Sequence, residues 1–186
     1  MSFFKQIVVA TTKLRGVKMI KLNSKGIAWL KIFHLLFVSA WIGGQISLIL
    51  LQNIKYELAL PEHQYAILAS VKTIDDFVII GGAIGCMLTG LVYSLMTPWG
   101  FFKFRWVTIK WTSTVLMILF GTFFLGPWLN EMTAISANEY ALALMNPKYL
   151  YDEKMNMLWG TVQFGINILL VIISVLKPWK TVKRSS

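Results

Sequence analysis

Apolar positions along the chain gather into four long runs, at residues 32–51, 77–96, 111–129 and 157–176, with polar segments between them. Each run holds about 20 residues, and a helix of that length crosses a hydrocarbon core of about 30 Å. Barrel strands would instead alternate over about ten residues. The pattern predicts an all-α, four-transmembrane-helix bundle. Residues 1–26 form a basic N-terminal segment, 27–176 the four-helix transmembrane domain, and 177–186 a basic tail. No internal repeat or low-complexity tract interrupts this organisation.

Within each run the polar and small residues share a face. His34, Val38, Trp41, Gln45 and Gln52 fall at helical steps on the first. Asp75, Ile79, Gly82, Cys86, Thr89 and Tyr93 do so on the second, and Trp106, Lys110, Ser113, Met117, Gly121 and Phe124 on the third. The fourth carries Gly160, Gln163, Asn167 and Ser174. Turned inward, the stripes build a bundle. Their commonest use is packing, because amides and hydroxyls hydrogen-bond between membrane helices and small residues let backbones approach. Gly81 and Gly85, spaced four apart, and the pair Gly43-Gly44 are of this small-residue kind.

Composition agrees. Hydrophobic residues make up 56% of the 186, charged residues 14%, and mean hydropathy is +0.64. This excludes a soluble globular enzyme and a disordered chain, and the single Cys86 excludes an intrachain disulfide. The net charge of +10 invites a nucleic-acid partner, but its distribution argues otherwise. In a four-span chain, 14 of the 18 basic residues fall on the side of the termini. The other side holds Lys55, Lys72, Lys148 and Lys154 together with all eight acids. That asymmetry follows the positive-inside rule. It predicts a multi-pass protein of the bacterial cytoplasmic membrane with both termini cytoplasmic, a lipid bilayer as its partner, and no nucleic acid.

The flanking segments carry weaker signals. Apolar residues alternating with Lys and Arg over residues 3–20 read equally as an interfacial amphipathic helix or as a basic tail that sets topology. Ser136 to Glu139 has the form of a capping box opening a short helix that stops before Asn146-Pro147. Asp75 and Asp76 sit where the second span begins, as acids at a helix N-terminus do. A metal site from these acids and His63 is disfavoured, since their spacing fits no compact ligand motif.

Two groups stand out chemically. His34 is the only histidine in a span, shallow on the cytoplasmic side, and Lys110 lies at a similar depth on an inward face, with Lys31 nearby. A lone membrane histidine is most often a neutral, hydrogen-bonded group, and a lysine near a helix end commonly snorkels. An imidazole among apolar walls is also a good haem-iron ligand, and a neighbouring cation suits a propionate.

The string Leu30-Lys31-Ile32-Phe33-His34-Leu35-Leu36, followed by Trp41-Ile42-Gly43-Gly44, resembles the first helix of a broad set of four-helix bacterial integral membrane proteins. That set includes a large uncharacterised family of unknown function. It is more distantly similar to membrane-bound protoporphyrinogen oxidase and to copper-resistance D membrane domains. The stretch Arg105-Trp106-Val107-Thr108-Ile109-Lys110-Trp111 is similar to the Trp/Lys entry of a later helix in the same set. The resemblance implies a haem b bound through His34, with Lys110 as a charged group of the site. The rest of the oxidase pattern is not matched, so the resemblance implies the ligand and not the activity.

No second histidine lies in a span, which excludes a bis-histidine haem within one chain unless His63 folds in. A second axial ligand would come from Met87, Met117, another sulfur, a lysine, or His34 of a second copy. Three functions follow: a small redox protein with one haem b on His34, with Lys110 and Met117 in its site; a carrier or permeation component with polar stripes along a path; or an anchor or interaction subunit, in a homo-oligomer or with a membrane partner protein. Glycine-rich phosphate loops, zinc-ligand spacings and hydrolase triads are absent from the sequence.

Overall fold

In a computed structural model of the chain, residues 22–55, 61–96 and 104–177 are described. The interfacial helix considered for residues 3–20, and all of the tail but Lys177, lie outside them. The elements are α1 (Ser24–Ile54), α2 (Pro61–Ile74), a π-helical turn (Asp75–Ile79), α3 (Ile80–Met96), α4 (Arg105–Phe120), a second π-turn (Gly121–Leu125), α5 (Gly126–Glu139), a 3-10 turn (Tyr140–Met145) and α6 (Pro147–Leu176). No strand occurs among the described residues. Since α2 runs through its π-turn into α3, and α4 through the other into α5, the molecule consists of four rods. All four are long and apolar enough to cross a membrane. The chain is an all-α, four-transmembrane-helix bundle.

Local chemistry sets the ends. Asn23 caps α1, its side-chain oxygen accepting from Gly26 N at 2.8 Å. Asn146 caps α6, accepting from Lys148 N at 2.9 Å, with Pro147 in the first turn. Lys177 closes α6 in the left-handed region. The Ser136–Glu139 segment closes α5 instead of opening a helix, because α5 arrives from Gly126 without a break. Its Glu139 carboxylate accepts twice from Asn146 Nδ2 at 2.9 Å, and the 3-10 turn does stop before Asn146-Pro147. Asp75 and Asp76 likewise lie inside a continuous rod, far from any free helix N-terminus.

Among the element pairs α1 and α3 share the most extensive packing, and glycine explains how. A Cβ added at Gly82 would lie 2.7 Å from Trp41 N and 3.0 Å from Phe37 O, so the two backbones touch there. At Gly85 a Cβ would overlap the Phe37 ring, and at Gly44 it would come within 2.6 Å of Ile79 Cγ1. Gly81 and Gly43 face open space. The close approach therefore uses one glycine of each pair expected from the sequence, and adds Gly82.

Two cores stack along the bundle. One joins Trp41, Ala83, Met117 and Leu170. The other joins Leu68, Val71, Leu129, Met132, Ala143 and Tyr149, at the end away from the termini. The rods outrun a bilayer: the 34 residues His63–Met96 extend about 51 Å at 1.5 Å per residue. This distal end is thus a packed helical cap, where the sequence suggested polar segments with one short helix. Lys55 is buried in it, donating to Tyr149 OH at 2.8 Å and paired with Glu153. Asp152, fully buried, accepts from Lys148 Nζ at 2.5 Å. Outward positions in the apolar runs carry large hydrophobics such as Leu36, Leu50, Leu116, Phe123 and Leu169, as a lipid-facing surface does.

The π-turn at Gly121–Leu125 also corrects the third stripe. One extra residue in a helical turn rotates the face that follows. Met117 is buried as expected, but Phe124 turns outward and the buried positions continue through Leu129, Met132 and Ser136.

Candidate functional site at His34

His34 sits on the inward face of α1, partly buried, against α3. Its Nδ1 lies 2.8 Å from Thr89 Oγ1. The Thr89 hydroxyl also lies 2.7 Å from Gly85 O and 3.1 Å from Cys86 O of its own helix. With its one proton given to either carbonyl, Thr89 Oγ1 accepts from His34 Nδ1–H. In the neutral ring Nε2 then carries the lone pair, which is the tautomer that a metal-ligating histidine needs.

The surroundings are aromatic and cationic. The Tyr93 ring stands edge-on to the imidazole, with centroids 5.8 Å apart at 80°. Trp111 spends its indole N–H on Ser94 Oγ at 2.7 Å and turns its six-membered ring toward Gly90. A Cβ at Gly90 would lie 3.9 Å from Trp111 Cζ2 and 4.0 Å from His34 Cε1, so the glycine leaves a methyl-sized space between the rings. Lys110 lies within electrostatic reach of both His34 and Cys86. Its Nζ stands 6.0 Å from the Trp106 ring centroid, and Lys177 Nζ lies 5.9 Å from the same centroid.

His34 and Lys110, 76 positions apart in the chain, are therefore brought within electrostatic reach of each other. Met117 is not part of this group. It packs with Trp41, Ala83 and Leu170, and Trp41 is seven positions, or about 10 Å, along α1 from His34. His63 lies exposed on α2, at the other end of the rod whose Thr89 contacts His34. No group of three His, Cys, Asp or Glu side chains among the described residues is placed to hold a metal ion. Thr89 and Tyr93 were legible as members of the second stripe, but nothing in the sequence marks Thr89 as the partner that orients His34.

The donor set fits a haem in part. It supplies one imidazole nitrogen with a hydroxyl at its other nitrogen, aromatic rings nearby and a cation for a carboxylate. Met117, one of the second ligands the sequence offered, lies apart from His34. Comparison with family models, with curated proteins and with solved structures finds no match.

Proposed function

We propose that this multi-pass membrane protein is a small redox protein of the bacterial cytoplasmic membrane that binds one haem b through His34 Nε2. The observation that carries the reading is the 2.8 Å contact between His34 Nδ1 and Thr89 Oγ1: with the hydroxyl accepting from Nδ1–H, the imidazole is held in the ligating tautomer and made more basic. Haem b supplies one-electron chemistry when bound. Lys110 pairs with a propionate while its stem lies along the apolar wall. Tyr93 and Trp111 exclude lipid and water from the ring edge.

An absorption spectrum of the detergent-purified protein, with and without reductant, is the direct test. Protein from haem-replete cells should show a Soret band. His34→Ala should abolish it, Thr89→Val should shift it or weaken haem retention, and Lys110→Met should weaken retention without removing the iron ligand. His63→Ala should leave it unchanged. A wild-type protein that stays colourless after haem addition removes this reading and leaves a carrier or an anchor.

A further inference from the structure

A second feature, independent of the haem reading, lies in the distal half of the bundle. A cavity of ≈ 380 Å³ opens between all four rods. Trp41 and Met117 belong to its apolar part; Gln45, Gln52, Gln163 and Asp75 belong to its polar part. Both π-turns form its walls, through Asp75, Asp76 and Ile79 on one side and Gly121, Thr122 and Leu125 on the other. π-turns inside α-helices concentrate at functional sites, because the extra residue frees backbone groups and redirects side chains. One freed group is visible here: Leu125 O accepts from Asn156 Nδ2 at 3.0 Å.

The cavity's hydrogen-bonding capacity is only half used. Gln45 Oε1 accepts from Asn167 Nδ2 at 2.8 Å, but Gln45 Nε2 has no partner among the described residues. Gln163 Nε2 donates to Met117 O at 3.0 Å, and Gln52 Nε2 to Asn156 Oδ1 at 3.2 Å, while the Oε1 of each has none. These three glutamines are only 8%, 7% and 5% exposed. Among the described residues no side-chain nitrogen or oxygen fully shut off from solvent lacks a partner, so the unused amide atoms keep accessible surface, and their side chains line the cavity. A buried polar atom of this kind is expected to have a partner, from water or from a ligand.

Charge narrows the ligand. The lining contains two carboxylates and no Lys, Arg or His. Asp76 is matched by Lys72 at 2.9 Å. The Asp75 carboxylate makes no hydrogen bond among the described residues, so the cavity keeps one negative charge. Among the described residues, no third His, Cys, Asp or Glu joins Asp75 and Asp76 in a group that could hold a metal ion. The cavity's apolar walls are mostly isoleucine and leucine, with Trp41 the one aromatic among the lining residues.

We infer that the cavity binds an organic ammonium ion with a compact apolar body. The Asp75 carboxylate and the free Oε1 atoms of Gln52 and Gln163 meet the cationic head, Gln45 Nε2 meets an acceptor on the ligand, and the Trp41–Met117 end takes the apolar part. The ammonium belongs either to a free solute or to a lipid headgroup.

Equilibrium dialysis of the full-length detergent-solubilised protein against radiolabelled 2-(4-methoxyphenyl)ethylammonium, which has both N–H donors and an ether acceptor, tests the assignment. The uncharged isostere 4-propylanisole and the anion 3-(4-methoxyphenyl)propanoate serve as competitors. The cation should bind, neither competitor should displace it, and Asp75→Asn should weaken it by about tenfold or more. Gly160→Leu is the second variant: Gly160 lines the cavity and a Cβ there meets nothing within 4 Å, so the larger side chain is accommodated and takes up ligand space. It too should weaken binding. Phosphatidylethanolamine added to the micelles displaces the probe if the occupant is a headgroup, and a water-soluble alkylammonium alone displaces it if the occupant is a solute. Absence of saturable cation binding, equal displacement by the uncharged isostere, or full binding by both variants overturns the assignment. A haem Soret band, present or absent, bears on none of these outcomes.

Discussion

The carboxamides of Gln45 and Asn167 come from positions 122 apart and meet at 2.8 Å in the middle of the bundle. Neither faces lipid: both are more than nine-tenths buried. Such a bond between membrane helices is worth about 1 kcal/mol, and removing one partner leaves the other unsatisfied at about 1–3 kcal/mol. Asn167→Leu should therefore destabilise the bundle by about 1–2 kcal/mol in reversible unfolding from detergent. Adding Gln45→Leu should cost less than the sum of the two single changes, because the orphaned acceptor disappears. Strict additivity would count against the pair. The inward orientation of both residues was legible from helical spacing. Their partnership was not, since spacing gives the face of a helix but not the depth at which two faces meet. His34 shows the same boundary. Its inward face and its kinship in depth with Lys110 follow from the sequence, while the hydroxyl that meets its Nδ1 comes from another helix.

At the scale of elements, the apolar runs mark where the rods meet hydrocarbon and not where they end. Nothing between residues 63 and 76 breaks a helix: the stretch has no Gly or Pro, and Ser70 and Thr73 bond back to carbonyls of their own helix. So α2 continues into α3, and the segment read as a loop becomes part of the distal cap. The π-turns were beyond reach for a related reason, since a helix with one inserted residue has no local sequence signature and is decided by packing on neighbouring rods. Within the cap, Lys55 sits 2% exposed between Tyr149 and Glu153. Breaking a buried ion pair from one side strands a charge, at about 3–5 kcal/mol. Lys55→Met should thus loosen the cap, read as faster hydrogen exchange in α2, α5 and the first turns of α6. Lys55→Met combined with Glu153→Leu should recover much of the loss. If the single variant exchanges like wild type, the pair does not hold the cap together.

For the molecule as a whole, the two ends differ in kind as well as in charge. All eight acids lie between residues 57 and 153, so the end bearing the termini has none to offset Lys25, Lys31, Arg105 and Lys177. At the distal end, Lys55, Lys72 and Lys148 are each tied to a carboxylate, which removes them as free positive charge. The asymmetry that orients membrane proteins is counted on basic residues near the span ends, and here folding sharpens it. Both termini in the cytoplasm, with the distal cap outside, is the topology this charge distribution favours. Single cysteines in a Cys86→Ala background report on it directly. Placed at His63 or Asn138, they should react with an impermeant maleimide in intact cells, since both side chains are exposed on the distal helices. Placed at Ser2 or Lys103, they should react only after the membrane is opened. Labelling at Ser2 in sealed cells, with His63 silent, would invert the molecule and put His34 and Lys110 on the outer side of the bilayer.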